Sequence, residues 1–570
     1  MSDAPKIWKV AEPVSGAEAL AERNNLPLPV ASLLIRREID DVDAFLSPKL
    51  DQLSDPFLLP DMHKAADRIW AAVDAKERIL IFGDYDVDGI TSTCFLSRVL
   101  ESLGGNVERF IPNRQDDGYG LSVESITHCL ERFDPKLVIT VDCGTGSADA
   151  VQLASEKGVD VVVTDHHEAS EGIVADALAV VNPKVGTHKE LQILAGVGVA
   201  FKLCHALLKQ GRQQDRPTSH STDMRPWMYL VALGTVADMV PLVGENRILA
   251  TYGLQVLNQR PDPGIDALAR SSGVQQEMTS YHIGFVLGPR LNAAGRMASP
   301  DLAVELLLST SPRHAMRIAH RLEEANKERQ AIEETIRNQA ISRLEEHYRP
   351  EEPAVMVVAS RSWHKGVVGI VASRLVRRFH RPAVVISIDE HGVGRGSCRS
   401  IDGIDLIENL ESVSDLLLQF GGHRMAAGLD IEEDKIDEFR RRLNARAREV
   451  MDAENLRPSQ PIDGWIREED LTHDFLAGQD QLMPFGNTNP VPVWGLRGVR
   501  IKYSQRVGYD KKHLRLIFDT AVGPRDAIAF HFGDKEIPDG PVDLAFQLRT
   551  NVFRGEENLQ MLLQDIRLSE

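Results

Sequence analysis

The stretch Ile79-Leu-Ile-Phe-Gly83-Asp84-Tyr85-Asp86-Val87-Asp88-Gly89 decides the fold. A short run without a polar residue passes directly into three aspartates set two apart. A fully apolar run of this length suits a strand buried on both faces, and such strands belong to parallel sheets. Three further runs follow, spaced widely enough for helices between them: Leu137-Val-Ile-Thr-Val141, Val161-Val-Val-Thr164 and Ala179-Val-Val181. The region from 71 to 310 is therefore expected to be α/β with a parallel sheet. The first run ends in Asp84, Asp86 and Asp88, the second in Asp142-Cys-Gly144, the third in Asp165-His166-His167. Carboxyl ends of parallel strands line one crevice, and ligands bind where the strand order reverses, so these distant residues are expected to converge. Asp238, after the apolar run Tyr229 to Ala237, joins them by the same logic.

Such a cluster repels itself unless some groups stay protonated or cations compensate, so it calls for divalent metal. A mostly oxygen donor set with few imidazoles suits Mg²⁺ or Mn²⁺ better than zinc. Two ions, roughly 3.5 to 4 Å apart and bridged by a shared carboxylate, would serve an in-line phosphoryl displacement. Phosphoester or phosphoanhydride hydrolysis is the reaction class this favours. Taken singly, Asp84 reads as a helix cap or an Asp-Gly turn, and His166 and His167 as ordinary histidines. The combination is what points to chemistry.

Outward from this core, residues 1–70 read as a helical, proline-punctuated segment without evident chemistry. Pro312 and the apolar positions Ile318, Leu322, Ala325, Ile332, Ile336, Ala340 and Leu344 predict one long connecting helix over 311–349. Ala354-Val-Met-Val-Val-Ala359 and Ala383-Val-Val-Ile-Ser-Ile388 open a second α/β unit over 350–455, and short Gly- and Pro-bounded strands over 456–570 suggest a small barrel.

Basic residues occur in what read as glycine-rich loops: Gly288-Pro-Arg290-Leu-Asn292-Ala-Ala-Gly-Arg296, Gly394-Arg395-Gly-Ser397-Cys-Arg399 and Gly421-Gly422-His423-Arg424. Guanidinium groups there can hold phosphate bidentately. Gly196-Val-Gly198-Val-Ala-Phe201 lacks the last glycine of a dinucleotide fingerprint and reads as close helix packing. From Arg497 to Arg515 seven basic residues face one acidic, Asp510, with Trp494, Tyr503 and Tyr509 among or beside them. That fits either single-strand binding, with phosphates held electrostatically and bases stacked, or a solvated basic hairpin.

The 570 residues carry 84 Asp plus Glu against 65 Lys plus Arg, a net charge of −19, which excludes a protein that coats nucleic acid non-specifically. With 43% apolar and 26% charged residues the chain is of ordinary globular composition. No apolar run approaches the ~20 residues of a membrane span, and the first residues do not form a secretory signal, so a cytoplasmic protein is expected. Five cysteines without a C-x-x-C pair give neither a disulfide framework nor a zinc site and are expected to be buried thiols.

The motifs D-Y-D-x-D-G at 84–89, V-D-C-G at 141–144, D-H-H at 165–167 and A-D-M-V at 237–240 resemble the DHH superfamily of phosphoesterases, and Gly421-Gly422-His423 resembles its associated DHHA1 domain. Together with Ile111-Pro-Asn-Arg114, Asp117-Gly-Tyr-Gly-Leu121, Leu291-Asn-Ala-Ala-Gly-Arg296 and a terminal barrel, the chain from about residue 20 onward resembles the bacterial exonucleases of that superfamily that act on single-stranded DNA. The resemblance implies a DHH domain over 71–310, a DHHA1 domain over 350–455 and an OB-fold nucleic-acid-binding domain over 456–570. It implies Asp86, Asp88, Asp142, His166 and Asp238 as ligands of two Mn²⁺ or Mg²⁺ ions, with Asp142 bridging and Asp84 a further ligand or a support for one. His167 would face the scissile phosphate. Arg114, Arg296, Ser397 and Arg399 would anchor the DNA 5′ end, with His423 in the adjoining DHHA1 loop; the glycine-rich basic stretches add Arg290, Asn292, Gly421 and Gly422 as candidate phosphate contacts, and the basic aromatic stretch adds Arg500, Lys502, Tyr503, Lys511 and Lys512 as candidate barrel contacts. Some members carry a His four residues before Asp86; here that position is Phe82.

The implied activity is 5′ to 3′ hydrolysis of single strands to mononucleotides in recombination and repair. The implied partners are single-stranded DNA, a single-strand-binding protein and a helicase, with no membrane, and the protein is expected to be a monomer. Two other readings remain beside it: a superfamily hydrolase of short oligonucleotides, cyclic dinucleotides or pyrophosphate, which would have no need of a basic barrel, and a non-catalytic single-strand-binding scaffold, in which metal ligands would be the first residues lost.

Overall fold

The computed structural model describes residues 6–112, 120–169, 174–347, 355–451, 456–553 and 555–569. The chain forms two compact units, one made of Met1–Glu38, Glu328–Gln481 and Val491–Glu570, the other of Ile39–Lys327 and Leu482–Pro490. It begins in the first with strand β1 (Ile7–Val10), which pairs in parallel with residues Ser459–Ile462.

The second unit is built on β2 (Arg78–Gly83), β3 (Asn106–Phe110), β4 (Leu137–Val141), β5 (Asp160–Thr164) and β6 (Ala179–Val181). They form one parallel sheet in the order β3-β2-β4-β5-β6. Ile79, Ile81, Leu137, Ile139 and Val141 enter one core, packed with residues of helices Val87–Ser102, Gly196–Gln213 and Met228–Ala237. Leu80, Phe82, Val138, Val161 and Val163 enter the other, packed with helices Val123–Phe133 and Ala148–Glu156. Successive side chains go to opposite cores, which is why the interiors of these strands are apolar at nearly every position, Thr140 and Thr164 being buried exceptions. β3 has no such pattern: it is an edge strand, half-buried, and carries Glu108 and Arg109. Because β2 has β3 on one side and β4 on the other, the strand order reverses between β2 and β4.

The helix expected over 311–349 is continuous from Pro312 to His347, 36 residues or about 54 Å at ~1.5 Å per residue, and the chain passes from one unit to the other within it. In the first unit, β7 (Met356–Ser360), β8 (Ala383–Ile388), β9 (Val393–Arg399), β10 (Leu417–His423) and β11 (Ala426–Glu432) form a mixed sheet ordered β10-β11-β9-β8-β7, in which only β7 and β8 are parallel. After β12 (Ser459–Ile462) come β13 (Gly464–Trp465), β14 (Trp494–Val507), β15 (His513–Asp519), β16 (Arg525–Ala529), β17 (Val542–Phe553) and β18 (Glu556–Leu568). Pairing of β14 with both β15 and β17 closes these strands into a barrel around Trp494, Leu516, Phe518 and Phe546.

Three expectations need correction. The segment before Asp238 is the helix Met228–Ala237, not a strand; eight of its ten residues are buried, and a helix buried all round has no periodicity to distinguish it. Gly288 to Arg296 is helical. Gly394 to Arg399 and Gly421 to His423 are strand. In β9 the glycines serve packing: a Cβ on Gly394 would lie 2.7 Å from Ile386 Cγ2, and one on Gly396 2.8 Å from Leu429 Cδ1. All five cysteines are buried thiols. Among the described residues no helix is long and apolar enough to cross a membrane.

Candidate metal centre

The loops after β2, β4 and β5 meet at the point where the strand order reverses, together with the C-terminal end of helix Met228–Ala237. Three groups of side chains there have ligand atoms within 4.8 Å of one another: Asp84, Asp86 and Asp142; Asp88, His166 and Asp238; and Asp142, His166 and His167. His166 Nε2 lies 3.1 Å from Asp142 Oδ1, 3.6 Å from Asp238 Oδ2 and 3.9 Å from Asp88 Oδ2. The first two groups have the composition of two adjoining cation sites, with Asp142 and His166 at their junction.

Local structure explains how each group is held. Asp86 caps helix Val87–Ser102, its Oδ1 accepting from Asp88 N at 2.9 Å and Gly89 N at 3.2 Å. Asp88, in the first turn of the same helix, accepts from Gly196 N (2.7 Å) and Val197 N (2.9 Å) at the start of helix Gly196–Gln213, a helix end suited to an anion. Asp142 has φ 63°, a left-handed conformation that Asp tolerates better than most residues. Gly196 makes room for it: a Cβ there would lie 2.6 Å from Asp142 Oδ1. Gly234 does the same for Asp88 Oδ1, also at 2.6 Å.

The electrostatics are those of an uncompensated anionic cluster. Burial, then the charges of Asp238 and Asp86, hold the Asp88 carboxyl well above the usual carboxylate range, and burial followed by Asp88, Asp86 and Asp84 does the same to Asp142. Burial and Asp86 push Asp238 up to about 7. Burial lowers His166 to about 4, so its imidazole is neutral and able to coordinate. Asp142 Oδ1 and His166 Nε2 are buried yet make no hydrogen bond among the described residues. Buried polar atoms normally do, so an oxygen-rich set with one imidazole, left unsatisfied at its centre, fits Mn²⁺ or Mg²⁺.

His167 differs from its neighbour. Burial lowers its pKa, but the hydrogen bond from Nδ1 to Asp165 Oδ1 (2.8 Å) and the Asp165 charge outweigh it and raise the pKa to about 9. Asp165 is opposed by its own burial but is held below the usual carboxylate range by His167 and by Thr145 N at 3.0 Å. With Nδ1 committed, Nε2–H of a protonated His167 remains to meet a substrate, and the side chain is 42% exposed.

The structure thus brings together Asp84, Asp86, Asp88, Asp142, His166, His167 and Asp238. Phe82 is fully buried in the core against Phe110 and offers no ligand. Asn292 Oδ1 accepts from Val87 N at 3.1 Å, supporting the Asp86 turn. Arg290 is engaged by Glu323 (2.6 Å) and the Val286 carbonyl (2.7 Å), and Arg296 lies half-buried in the last turn of the same helix. Arg114 lies outside the described residues.

In the other unit, Ser397 and Arg399 alternate with buried Gly396 and Cys398 along β9, and a Cβ on Gly369 would lie 3.2 Å from Ser397 Oγ and 3.5 Å from an Arg399 guanidinium nitrogen. The N-terminal turn of helix Val368–Phe379 therefore sits over both, an anion-binding arrangement. Gly422, at φ 139°, precedes exposed His423 on edge strand β10; a Cβ on it would lie 2.5 Å from the Ala426 carbonyl, while one on Gly421 would meet nothing within 4 Å. On the barrel, Lys502 and Tyr503 belong to a stretch of β14 exposed on both faces, Arg500 lies opposite Asp519, and Lys511 and Lys512 occupy the β14–β15 turn, where Lys512 pairs with Asp510 at 2.8 Å. The sequence motifs did not reveal Asp165 as the support of His167, the Gly196 and Val197 N–H groups, or Gly369; the glycine at the start of the G-x-G run was the available signal for the second.

Residues 78–235 match the DHH family, N-terminal domain, 352–449 the DHHA1 domain and 462–565 the RecJ OB domain. Sheet, switch-point cluster and accessory domains together define a phosphoesterase of the DHH class. The chain is 36% identical over 573 residues to the single-stranded-DNA-specific exonuclease RecJ of Bacillus subtilis (strain 168), covering 99% of this chain and 71% of that protein. It is 36% identical over 526 residues to RecJ of Escherichia coli (strain K12), covering 89% and 90%. RecJ of Thermus thermophilus in complex with Mn²⁺ superposes with a TM-score of 0.85 at 29% identity, covering 99% of this chain and 80% of that one, and the same protein with Mg²⁺ with 0.78 at 26%. The chain belongs to the RecJ family of single-stranded-DNA-specific exonucleases.

Proposed function

We propose that this chain hydrolyses single-stranded DNA from the 5′ end, releasing mononucleotides, with two Mn²⁺ or Mg²⁺ ions, in recombination and repair. The observation that carries the proposal is the pair of carboxylate and imidazole groups adjoining at Asp142 and His166. Asp84, Asp86 and Asp142 would hold one ion, and Asp88, His166 and Asp238 the other. Bound there, the ions would supply an activated water and charge compensation for in-line displacement at phosphorus. Asp165 orients the His167 ring, whose Nε2–H donates to the scissile phosphate as charge develops or passes a proton to the leaving 3′-oxygen of the mononucleotide, while the phosphate stays on the strand as its new 5′ end. A 5′-terminal phosphate is the group that Ser397, Arg399 and the helix start at Gly369 would hold, with Arg114, Arg290, Arg296, Asn292 and the Gly421 to His423 strand as further DNA contacts. Arg500, Lys502, Tyr503, Lys511 and Lys512 bind single-stranded DNA on the barrel.

Function divides into a DHH domain at 71–310, a DHHA1 domain at 350–455 and an OB domain at 456–570, preceded by the segment 1–70 and joined by the helix at 311–349. The protein acts as a cytoplasmic monomer beside a single-strand-binding protein and a helicase. The test uses end-labelled single strands and a duplex control with Mn²⁺, Mg²⁺ or chelator, for the wild type and Asp142→Asn, a substitution that also tolerates the left-handed backbone. Early mononucleotide release from a 5′ label, late release from a 3′ label, intact duplex and an inactive but folded variant are expected. Release from the 3′ label first, or an active Asp142→Asn, would refute the reading.

A further inference from the structure

Beside the His166–His167 pair lies a fully buried amide to which no role has been given. Asn182 follows β6 and is 0% exposed. Its Nδ2 donates to Thr145 Oγ1 at 2.8 Å and to the main-chain carbonyl of His167 at 2.9 Å, while its Oδ1 accepts from Lys184 N at 2.8 Å. The amide orientation follows from its partners, because a carbonyl only accepts and a backbone N–H only donates. Thr145 continues the chain of bonds: its N–H donates to Asp165 Oδ2 at 3.0 Å and its side chain also bonds Asp165. Asp165 Oδ1 then accepts from His167 N (3.1 Å) and holds His167 Nδ1 (2.8 Å).

Asn182 therefore reaches His167 by two routes, directly at its carbonyl and through Thr145 and Asp165 at its ring. The ordinary structural duty of the residue is to cap the turn Pro183–Val185, and Oδ1 alone does that. An Asp in its place could accept the same bond. Both donated bonds go instead to what holds His167, and only an amide supplies acceptor and donors together.

We propose that Asn182 is a positioning residue that sets the His167 ring for its work at the phosphate, acting through Thr145 and Asp165 and through the His167 carbonyl. The inference rests on the role given to His167 under the proposed function.

The experiment is a kinetic comparison on single-stranded DNA with saturating Mn²⁺, using Asn182→Ala, Thr145→Val, Thr145→Ser, His167→Ala and the Asn182→Ala/His167→Ala double variant, with Tm and Mn²⁺ affinity measured on each. Groups that orient functional residues typically contribute ~10- to 100-fold, so that loss of kcat is expected for Asn182→Ala and for the nearly isosteric Thr145→Val. KM and Mn²⁺ affinity should stay within about threefold of wild type, and Thr145→Ser, which keeps the hydroxyl, should retain activity. In the His167→Ala background, loss of Asn182 should cost no more than about twofold, because a residue acting through His167 has nothing left to position. Thr145→Val carries the test if Asn182→Ala fails to fold. Equal losses in both backgrounds, or a loss confined to KM or Mn²⁺ affinity, overturn the inference while leaving the His167 reading intact. A His167→Ala enzyme with wild-type kcat overturns that reading and the inference with it.

Discussion

Metal affinity at this site should depend steeply on pH, and the structure sets both direction and size. Asp238 has a pKa of about 7 without metal, because burial and Asp86 oppose its charge. A cation must displace the proton before the carboxylate can coordinate. At pH 5.5 about 3% of a group with that pKa is ionised and at pH 7.5 about 76%, so Asp238 alone makes apparent Mn²⁺ affinity rise about 25-fold, or ~1.9 kcal/mol, across the window. Asp88 and Asp142, held well above the usual range by burial and neighbouring carboxylates, add to this, so the figure is a lower bound. The histidines add little to the affinity change: His166, at about 4, is neutral throughout, and His167, at about 9, stays protonated.

The stability of the metal-free protein runs the opposite way, falling as pH rises. A carboxyl whose folded pKa exceeds its unfolded value binds more protons when native, so its contribution is present in acid and is lost as pH rises from about 4 through about 7. His166, lowered, and His167, raised, act in opposite directions over this window and nearly cancel. The metal-free protein should therefore lose Tm between pH 5.5 and 7.5, and Mn²⁺ should raise Tm more at pH 7.5. The assay is calorimetric titration of chelator-treated protein with Mn²⁺ in buffers of different ionisation enthalpy, which counts released protons, with Asp238→Asn expected to release fewer. An affinity that is flat or falls with pH would refute the carboxylate cluster as the metal site.

Three further outcomes are expected. Gly196→Ala would place a Cβ 2.6 Å from Asp142 Oδ1 and 2.7 Å from its Cβ, and a carboxylate displaced by ~1 Å costs about 10²-fold; kcat should fall by that much with unchanged circular dichroism. Arg399→Gln should raise KM for 5′-phosphorylated strands ~10-fold or more and remove any preference over 5′-hydroxyl strands, the cost of one charged phosphate contact, as measured with both substrates. Replacing Lys511 and Lys512 together by Ala should reduce the slope of log affinity against log salt for long single strands by about 1.4, at ~0.7 per lost phosphate contact, as read by fluorescence anisotropy.

What could be read from sequence and what could not divides along physical lines. β2, β4 and β5 were legible because burial on both faces calls for apolar residues at nearly every position, and the acidic residues that follow them were conspicuous. β3 was not, because an edge strand with one solvated side keeps charged residues such as Glu108 and Arg109. The helix before Asp238 looked like a strand because burial all round erases its period. β9 looked like a loop because its glycines are spaced as turn residues are, although they serve contact with Ile386 and Leu429. Asp165 was noted in its motif, but its hold on His167 involves Thr145, twenty residues away in sequence, and no periodicity reports that.

By itself the sequence determined the fold class, the order of the domains, the long helix and the reaction class, and it singled out the acidic and imidazole residues that gather at the switch point, since these depend on residue type and short-range spacing. Only the tertiary structure decided how the cluster divides into two adjoining groups at Asp142 and His166. It also decided which histidine is neutral and which protonated, and that Gly196, Gly234, Thr145 and Asn182 support the site. Those properties arise from burial and from distances between residues far apart in the chain, and in a buried site such distances set both the charge and the direction of each group.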